Sequence, residues 1–218
     1  MNFYKNVIEH RGKLLVRGIH DGKEYKEKID YSPTLYAITQ QQTDFQTLHG
    51  QYVKPIQFGN ISKARDFRRN YNTDNAPIFG MDRFQYQYIS DTYPEEIQYS
   101  KDHIKIFTVD IECACENGFP DVENPVEEIL AVTVKNQSNK QIITWGTGEF
   151  KTDRSDVTYI RCKSEKSLIM EFMKFWIKNY PDIITGWNTK FFDLPYLMNR
   201  IKMVAGDKVA SRMSPWNL

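Results

Sequence analysis

The chain has 218 residues, of which 40% are hydrophobic and 26% are charged, and its formal net charge is +1. This length is enough for one large domain or two modest ones, each with its own core. A charge so close to zero excludes a strongly basic protein, so nucleic-acid binding would have to come from local patches. The three cysteines do not suggest a disulfide framework, and no apolar run approaches membrane-spanning length.

The first hundred residues predict a small α+β unit. Residues 13–19 and 23–25 are expected to pair as a β-hairpin, with Asp21-Gly22 as its turn. Residues 84–90 alternate between apolar and polar side chains, which predicts a strand.

A short helix is predicted over residues 63–69, with Ser62 as its N-cap. It carries four basic side chains that could contact phosphate or could form a solvated helix face, and the second interpretation is favoured. These side chains are Lys63, Arg65, Arg68 and Arg69.

A second unit is predicted to begin near residue 100 with a meander of three strands. These strands cover residues 104–112, 129–134 and 141–145, with a polar turn at 136–139 between the last two. A fourth short strand is expected over residues 157–160.

The apolar period then changes from that of strands to that of helices. Ser164 is expected to cap a helix that ends before Pro181, and residues 182–186 return as a short strand. A second helix is expected from about Asp193 to a stop at Gly206. Three strands followed by helix, strand and helix predict a ribonuclease-H-like α/β fold.

Asp110 and Glu112 stand at the end of the first apolar strand of this unit. Because side chains alternate along a strand, the two carboxylates are expected on the same face. They would repel one another unless a cation lies between them or one is protonated, and such hard oxygen ligands suit Mg²⁺ or Mn²⁺. Ordinary surface charge is the alternative, although its place after an apolar run counts against it.

Asp193 is the third candidate acid. A carboxylate at the start of a helix can be a plain N-cap, which is the structural alternative to a role in a site. The aromatic residues near it, Trp187 and Phe192, could stack on the bases of a single strand or could pack in the core.

The sequence resembles the amino-terminal part of family B (polymerase-alpha-like) DNA polymerases of T4-like bacteriophages over essentially its whole length. Asp110-Ile111-Glu112 resembles the first exonuclease motif of that family. The stretch from Gly186-Trp187-Asn188 to Phe192-Asp193-Leu194-Pro195-Tyr196 resembles the second motif, which is long and specific. Residues 80–84 and 88–93 agree less specifically.

The resemblance implies a polymerase N-terminal domain over residues 1–103 and part of a ribonuclease-H-like 3′–5′ proofreading exonuclease domain over residues 104–218. It implies that three acids are catalytic and bind Mg²⁺ or Mn²⁺ in a two-metal site, and that three further residues contact nucleic acid. The acids are Asp110, Glu112 and Asp193, and the further residues are Phe119, Asn188 and Phe192. For Phe119, anchoring its loop is an equal alternative.

The implied partners are the primer 3′ end of DNA and the remainder of the polymerase, joined covalently or present as a separate subunit. The implied location is the cytoplasm of an infected host cell. The family's third exonuclease motif and its polymerase motifs are absent from the 218 residues, so the chain alone is expected to cleave DNA poorly and not to copy it. The alternatives are a nucleic-acid-binding module, with RNA or DNA held by the first domain, and a subunit of a split polymerase.

Overall fold

Two tight turns organise the beginning of the chain. In the turns Arg11-Gly12 and Asp21-Gly22, the first residue has φ 49° and the glycine has φ 76°. Positive φ at both positions is typical of the hairpin turns whose twist matches that of the strands. They join β1 (Phe3–His10), β2 (Lys13–His20) and β3 (Lys23–Ile29) into one antiparallel sheet. The predicted hairpin is confirmed, whereas the β1–β2 hairpin was not predicted.

The structure, a computed structural model, describes residues 1–71, 77–116 and 118–218. Two compact units divide the chain, Met1–Ser100 and Lys101–Leu218. The first unit also contains a sheet in the order β5-β4-β6 and two helices. Their bounds are β4 (Thr34–Ile38), β5 (Val53–Gln57), α1 (Ile61–Asn70), β6 (Ile78–Phe79) and α2 (Phe84–Thr92).

The predicted strand over residues 84–90 is wrong, because this segment is helix α2. Phe84 and Tyr88 are the buried residues of α2, and a spacing of four places both on one helical face. The alternation that suggested a strand is also compatible with this spacing, so the pattern alone was ambiguous.

Helix α1 is present as predicted, but its N-cap is Asn60 rather than Ser62. The Asn60 side chain accepts a hydrogen bond from the Lys63 amide at 2.9 Å. Ser62 lies inside the first turn, so an available Asn two residues earlier takes the capping position.

The second unit is built on a five-stranded sheet in the order β10-β9-β8-β7-β11. Strand β8 is antiparallel to β7 and β9, while β10 is parallel to β9 and β11 is parallel to β7. The strands are β7 (Ile106–Cys113), β8 (Ile129–Asn136), β9 (Ile142–Gly146), β10 (Val157–Arg161) and β11 (Ile183–Thr185). This confirms the predicted strands and the predicted ribonuclease-H-like α/β arrangement.

The helices of this unit follow the predicted signals. Ser164 and Ser167 form a reciprocal capping box at the start of one helix, and Gly206, at φ 88°, ends the next. The helices are α3 (Glu165–Lys178), α4 (Asp193–Ala205) and α5 (Asp207–Ala210), with 3₁₀ turns at Lys101–His103 and Ser211–Met213. Among the described residues, no helix is both long enough and apolar enough to cross a membrane.

A buried ion pair joins α3 to α4. Arg200 Nε and Nη2 donate to the two carboxylate oxygens of Glu165 at 2.7 and 2.8 Å, and both side chains are less than a tenth exposed. Glu165 Oε1 also accepts the Ile129 amide at 2.8 Å, so the same carboxylate fixes the start of β8. Two-point geometry of this kind is the strong form of a charge-assisted hydrogen bond.

We expect Arg200→Met to lower the free energy of unfolding of the second unit by about 3–5 kcal/mol, because Glu165 would be left buried without its partner. Arg161→Met, which removes the exposed pair with Glu149, should cost less than about 1 kcal/mol. All four tryptophans of the chain lie beyond residue 100. Urea unfolding followed by tryptophan fluorescence therefore reports this unit, and equal losses in the two variants would contradict the prediction.

Candidate functional site

The two candidate acids of β7 share an exposed face. Val109 and Ile111 are buried, whereas Asp110 and Glu112 are exposed, as strand alternation predicts. Their cross-strand neighbours on β8 are Thr133 and Ala131. These neighbours are small and uncharged, so the residues directly opposite leave room beside the carboxylates.

The edge of β7 that faces β11 is paired over only part of its length. Strand β11 pairs with residues 106–108 and stops at Thr185. Farther along that edge, the Ile111 amide instead donates a hydrogen bond to Asp193 Oδ1 at 3.2 Å. The Thr189 hydroxyl lies 3.5 Å from the carbonyl oxygen of Val109, at the limit of hydrogen bonding. Side chains of the second motif therefore replace a strand at this edge.

A compact turn brings these side chains to the edge. Asn188 has φ 54°, a left-handed conformation that asparagine tolerates well. Its carbonyl oxygen accepts the amides of Phe191 and Phe192 at 2.9 and 3.0 Å. A Cβ atom on Gly186 would lie 2.6 Å from the carbonyl oxygen of Val109, so only glycine permits this close approach.

Asp193 is buried, with 4% of its surface exposed. Burial raises the pKa of its carboxyl group, the Ile111 amide opposes this rise, and the negative charge of Asp110 adds to it. Asp193 is the first residue of α4, and the N-cap is Phe192, which makes no side-chain capping bond. The plain N-cap alternative for Asp193 does not hold.

The ligand chemistry of the three acids suits a divalent cation, but their arrangement suits one only in part. Asp110 and Glu112 are hard oxygen donors on one face, the kind that Mg²⁺ and Mn²⁺ prefer. In the part of the chain that the structure describes, however, no three or more His, Cys, Asp and Glu side chains are grouped as a metal ion would require. Asp193 is instead turned toward the Ile111 amide. The three-acid metal site stays a prediction.

Several aromatic side chains lie close to Asp193 in the sequence, and one of them, Phe192, contacts Phe119. The ring centroid of Phe119 lies 5.2 Å from that of Phe192, and Phe192 lies 5.6 Å from Tyr196 in a nearly parallel stack. Tyr196 is buried, Phe192 is half-buried, and 85% of Phe119 is exposed. Trp187 and Phe191 are 93% and 72% exposed. The two alternatives for these aromatics were stacking on bases and packing in the core. Trp187 lies on the surface, which excludes core packing for it, whereas Phe192 packs against the core.

Comparison with known proteins gives the family. The family model of the DNA polymerase family B exonuclease domain matches residues 52–216. The chain belongs to this family. Across 98% of its length, this exonuclease-domain chain is 28% identical to the DNA-directed DNA polymerase of Enterobacteria phage T4 and 30% identical to that of Escherichia phage RB69. It spans 26% and 27% of those two proteins.

A eukaryotic relative matches a smaller part. The DNA polymerase delta catalytic subunit of Candida albicans is 33% identical over 45% of this exonuclease-domain chain and 10% of its own length. The resemblance to family B polymerases inferred from the two motifs is thus confirmed.

The basic cluster of α1 is largely neutralised. Three of its four side chains form ion pairs around a cavity of about 510 Å³ in the first unit. The pairs are Arg65–Glu9, Arg68–Asp82 and Arg69–Asp66. A guanidinium that already faces a carboxylate attracts phosphate less strongly, which supports the solvated-face interpretation and weakens the case for RNA binding here.

Sequence reasoning missed Thr189, Glu165 and Arg200 as parts of this region. The last two carry a readable signal, because Arg200 falls on the buried stripe of α4 and Glu165 on that of α3. A charge on an otherwise apolar helical stripe indicates a buried partner. Thr189 has no comparable signal, because its role depends on where β11 stops.

We expect Gly186→Ala to destabilise the second unit by about 1–3 kcal/mol, because the added methyl group would push the turn away from β7. Gly148→Ala is the matched control, since no atom lies within 4 Å of the Cβ position there, and it should change stability by less than about 1 kcal/mol. Urea unfolding with tryptophan fluorescence measures both variants. Equal effects would show that the close approach at Gly186 is unimportant.

The raised pKa of Asp193 predicts a pH-dependent stability. Because its folded-state pKa lies above the unfolded value, the charged carboxylate opposes folding above that pKa, and this penalty disappears below the ordinary value of about 4. Asp193→Asn should therefore stabilise the chain at pH 8, with a gain that shrinks as the pH falls toward 4. The control is Asp153→Asn, an exposed acid of the same unit. A variant that is destabilised at every pH would contradict the prediction.

Proposed function

We propose that this chain is the exonuclease-bearing amino-terminal part of a family B DNA polymerase and acts on the unpaired 3′ end of DNA by metal-dependent phosphodiester hydrolysis. The observation that carries this proposal is the hydrogen bond from the Ile111 amide to buried Asp193, because Ile111 lies between Asp110 and Glu112 in β7. Membership of the exonuclease-domain family supports it.

Each residue of the proposed site would have a distinct role. Asp110 and Glu112 present oxygen ligands on the exposed face of β7 and would hold Mg²⁺ or Mn²⁺ there, with Asp193 completing the set. Such ions, when bound, activate water and stabilise the leaving 3′ oxygen. Asn188 maintains the turn that positions Asp193, and Phe192 supports the exposed ring of Phe119.

The exposed aromatic rings support a single strand as substrate. Phe119 and Trp187 are 85% and 93% exposed, so their apolar faces are open to solvent. Stacking of bases on such rings is sequence-tolerant, as removal of any mismatched end requires. A paired end would offer its bases only after unstacking.

The remainder of the polymerase is the proposed protein partner, whether covalent or separate. Ile183 and Ile184 of β11 are 48% and 36% exposed, and β11 is one of the two edge strands of its sheet in the described chain. An exposed apolar edge strand favours further pairing or coverage. The phage relatives make the cytoplasm of an infected host cell the expected place of action.

Mn²⁺ titration followed by electron paramagnetic resonance tests the proposal. The chain should bind Mn²⁺, and Asp110→Asn should weaken binding at least about tenfold, because it removes a charged ligand from the β7 face. The control Asp153→Asn removes an equal charge from an exposed position of the same unit and should have no effect. Unchanged Mn²⁺ affinity in Asp110→Asn would refute the proposed site.

A further inference from the structure

Helix α4 holds the segment between β7 and β8 through three side-chain donors. These donors bond four main-chain carbonyl oxygens within residues 122–127. The bonds run from Tyr196 Oη to Glu127 at 2.7 Å, from Asn199 Nδ2 to Val122 at 2.9 Å, and from Arg200 Nη1 to Pro125 at 2.8 Å and to Val126 at 2.9 Å. The described residues of this segment form no strand or helix, so side chains supply the bonds that regular structure would otherwise provide.

The same segment carries Phe119. Because 85% of its surface is exposed, the Phe119 ring gains little from its own packing. Its position therefore depends on what holds the segment and on its ring contact with Phe192.

Tyr196 connects these two supports. Its ring stacks on Phe192, and its hydroxyl group donates to the carbonyl oxygen of Glu127. Burial raises the pKa of Tyr196 to about 12, so the hydroxyl group keeps its proton and remains a donor at neutral pH. A single buried side chain thus fixes both the ring behind Phe119 and the chain that carries Phe119.

We infer that Tyr196, Asn199 and Arg200 are positioning residues that hold the 118–128 segment so that the Phe119 ring stacks on the terminal base of a bound single strand. This inference rests on the proposed function, because it requires a 3′ end beside the acids. None of the three residues needs to touch the substrate. They act through the loop, and Glu165 keeps Arg200 in place.

The test uses the full chain and a short oligothymidylate with 2-aminopurine as its 3′-terminal base, in Ca²⁺. The fluorescence of 2-aminopurine at saturation reports stacking of the terminal base, while anisotropy reports affinity. The variants are Tyr196→Phe and Asn199→Ala, each of which removes one donor to the loop. Tyr180→Phe and Asn179→Ala are the matched controls, because each removes the same donor type from a carbonyl outside the loop.

We expect both loop variants to reduce the stacking signal at saturation, toward the value of Phe119→Ala, and to speed amide hydrogen exchange across 118–128 by roughly two- to tenfold. The controls should keep the wild-type signal and the wild-type exchange in this segment. A full stacking signal and unchanged exchange in Tyr196→Phe and Asn199→Ala would overturn the inference and leave the proposed function intact. Failure of the wild-type chain to bind the oligonucleotide would instead overturn the proposed function, and the inference with it.

Discussion

The organisation of the second unit depends on an incomplete strand pair. Strand β11 accompanies β7 only as far as Thr108, so the edge of β7 beyond that point has main-chain groups that need partners. An unpaired buried amide costs about as much as a lost hydrogen bond. The Asp193 carboxylate satisfies the Ile111 amide, and this bond is what brings a residue 82 positions later in the chain to the end of β7.

This solution has an energetic cost and a functional use. A neutral acceptor would satisfy the Ile111 amide without burying a negative charge close to Asp110. Proteins retain such unfavourable charges mainly where they serve a site, and perturbed carboxylates commonly mark one. The Asp193 carboxylate therefore suits the proposed site, in which a divalent cation would relieve this repulsion.

The sequence predicted the elements of the second unit better than those of the first. Apolar periodicity located β7, β8 and β9 and both long helices, because their stripes face one core and are uninterrupted. In the first unit, the Asp21-Gly22 turn identified one hairpin, but aromatic residues spaced two and four apart left α2 ambiguous. Strands β1, β4, β5 and β6 were not predicted.

Within the candidate site, alternation alone placed Asp110 and Glu112 on one face. The burial of Asp193 and the exposure of Trp187 could not be predicted, because both depend on where β11 stops relative to β7. The Glu165–Arg200 pair joins residues 35 positions apart, and only the charge on each apolar stripe indicated that a partner existed. Local sequence pattern therefore predicts many of the strands and helices, whereas contacts between these elements determine the positions of the site side chains.

The central claim is that Asp193, held at the open edge of β7, forms one metal-binding face with Asp110 and Glu112. A crystal of this chain soaked in Mn²⁺ and measured for anomalous scattering tests it most directly. We expect an anomalous peak bound by the β7 carboxylates on the side of Asp193. Mn²⁺ peaks found only elsewhere on the chain, with these three carboxylates free of metal, would contradict it.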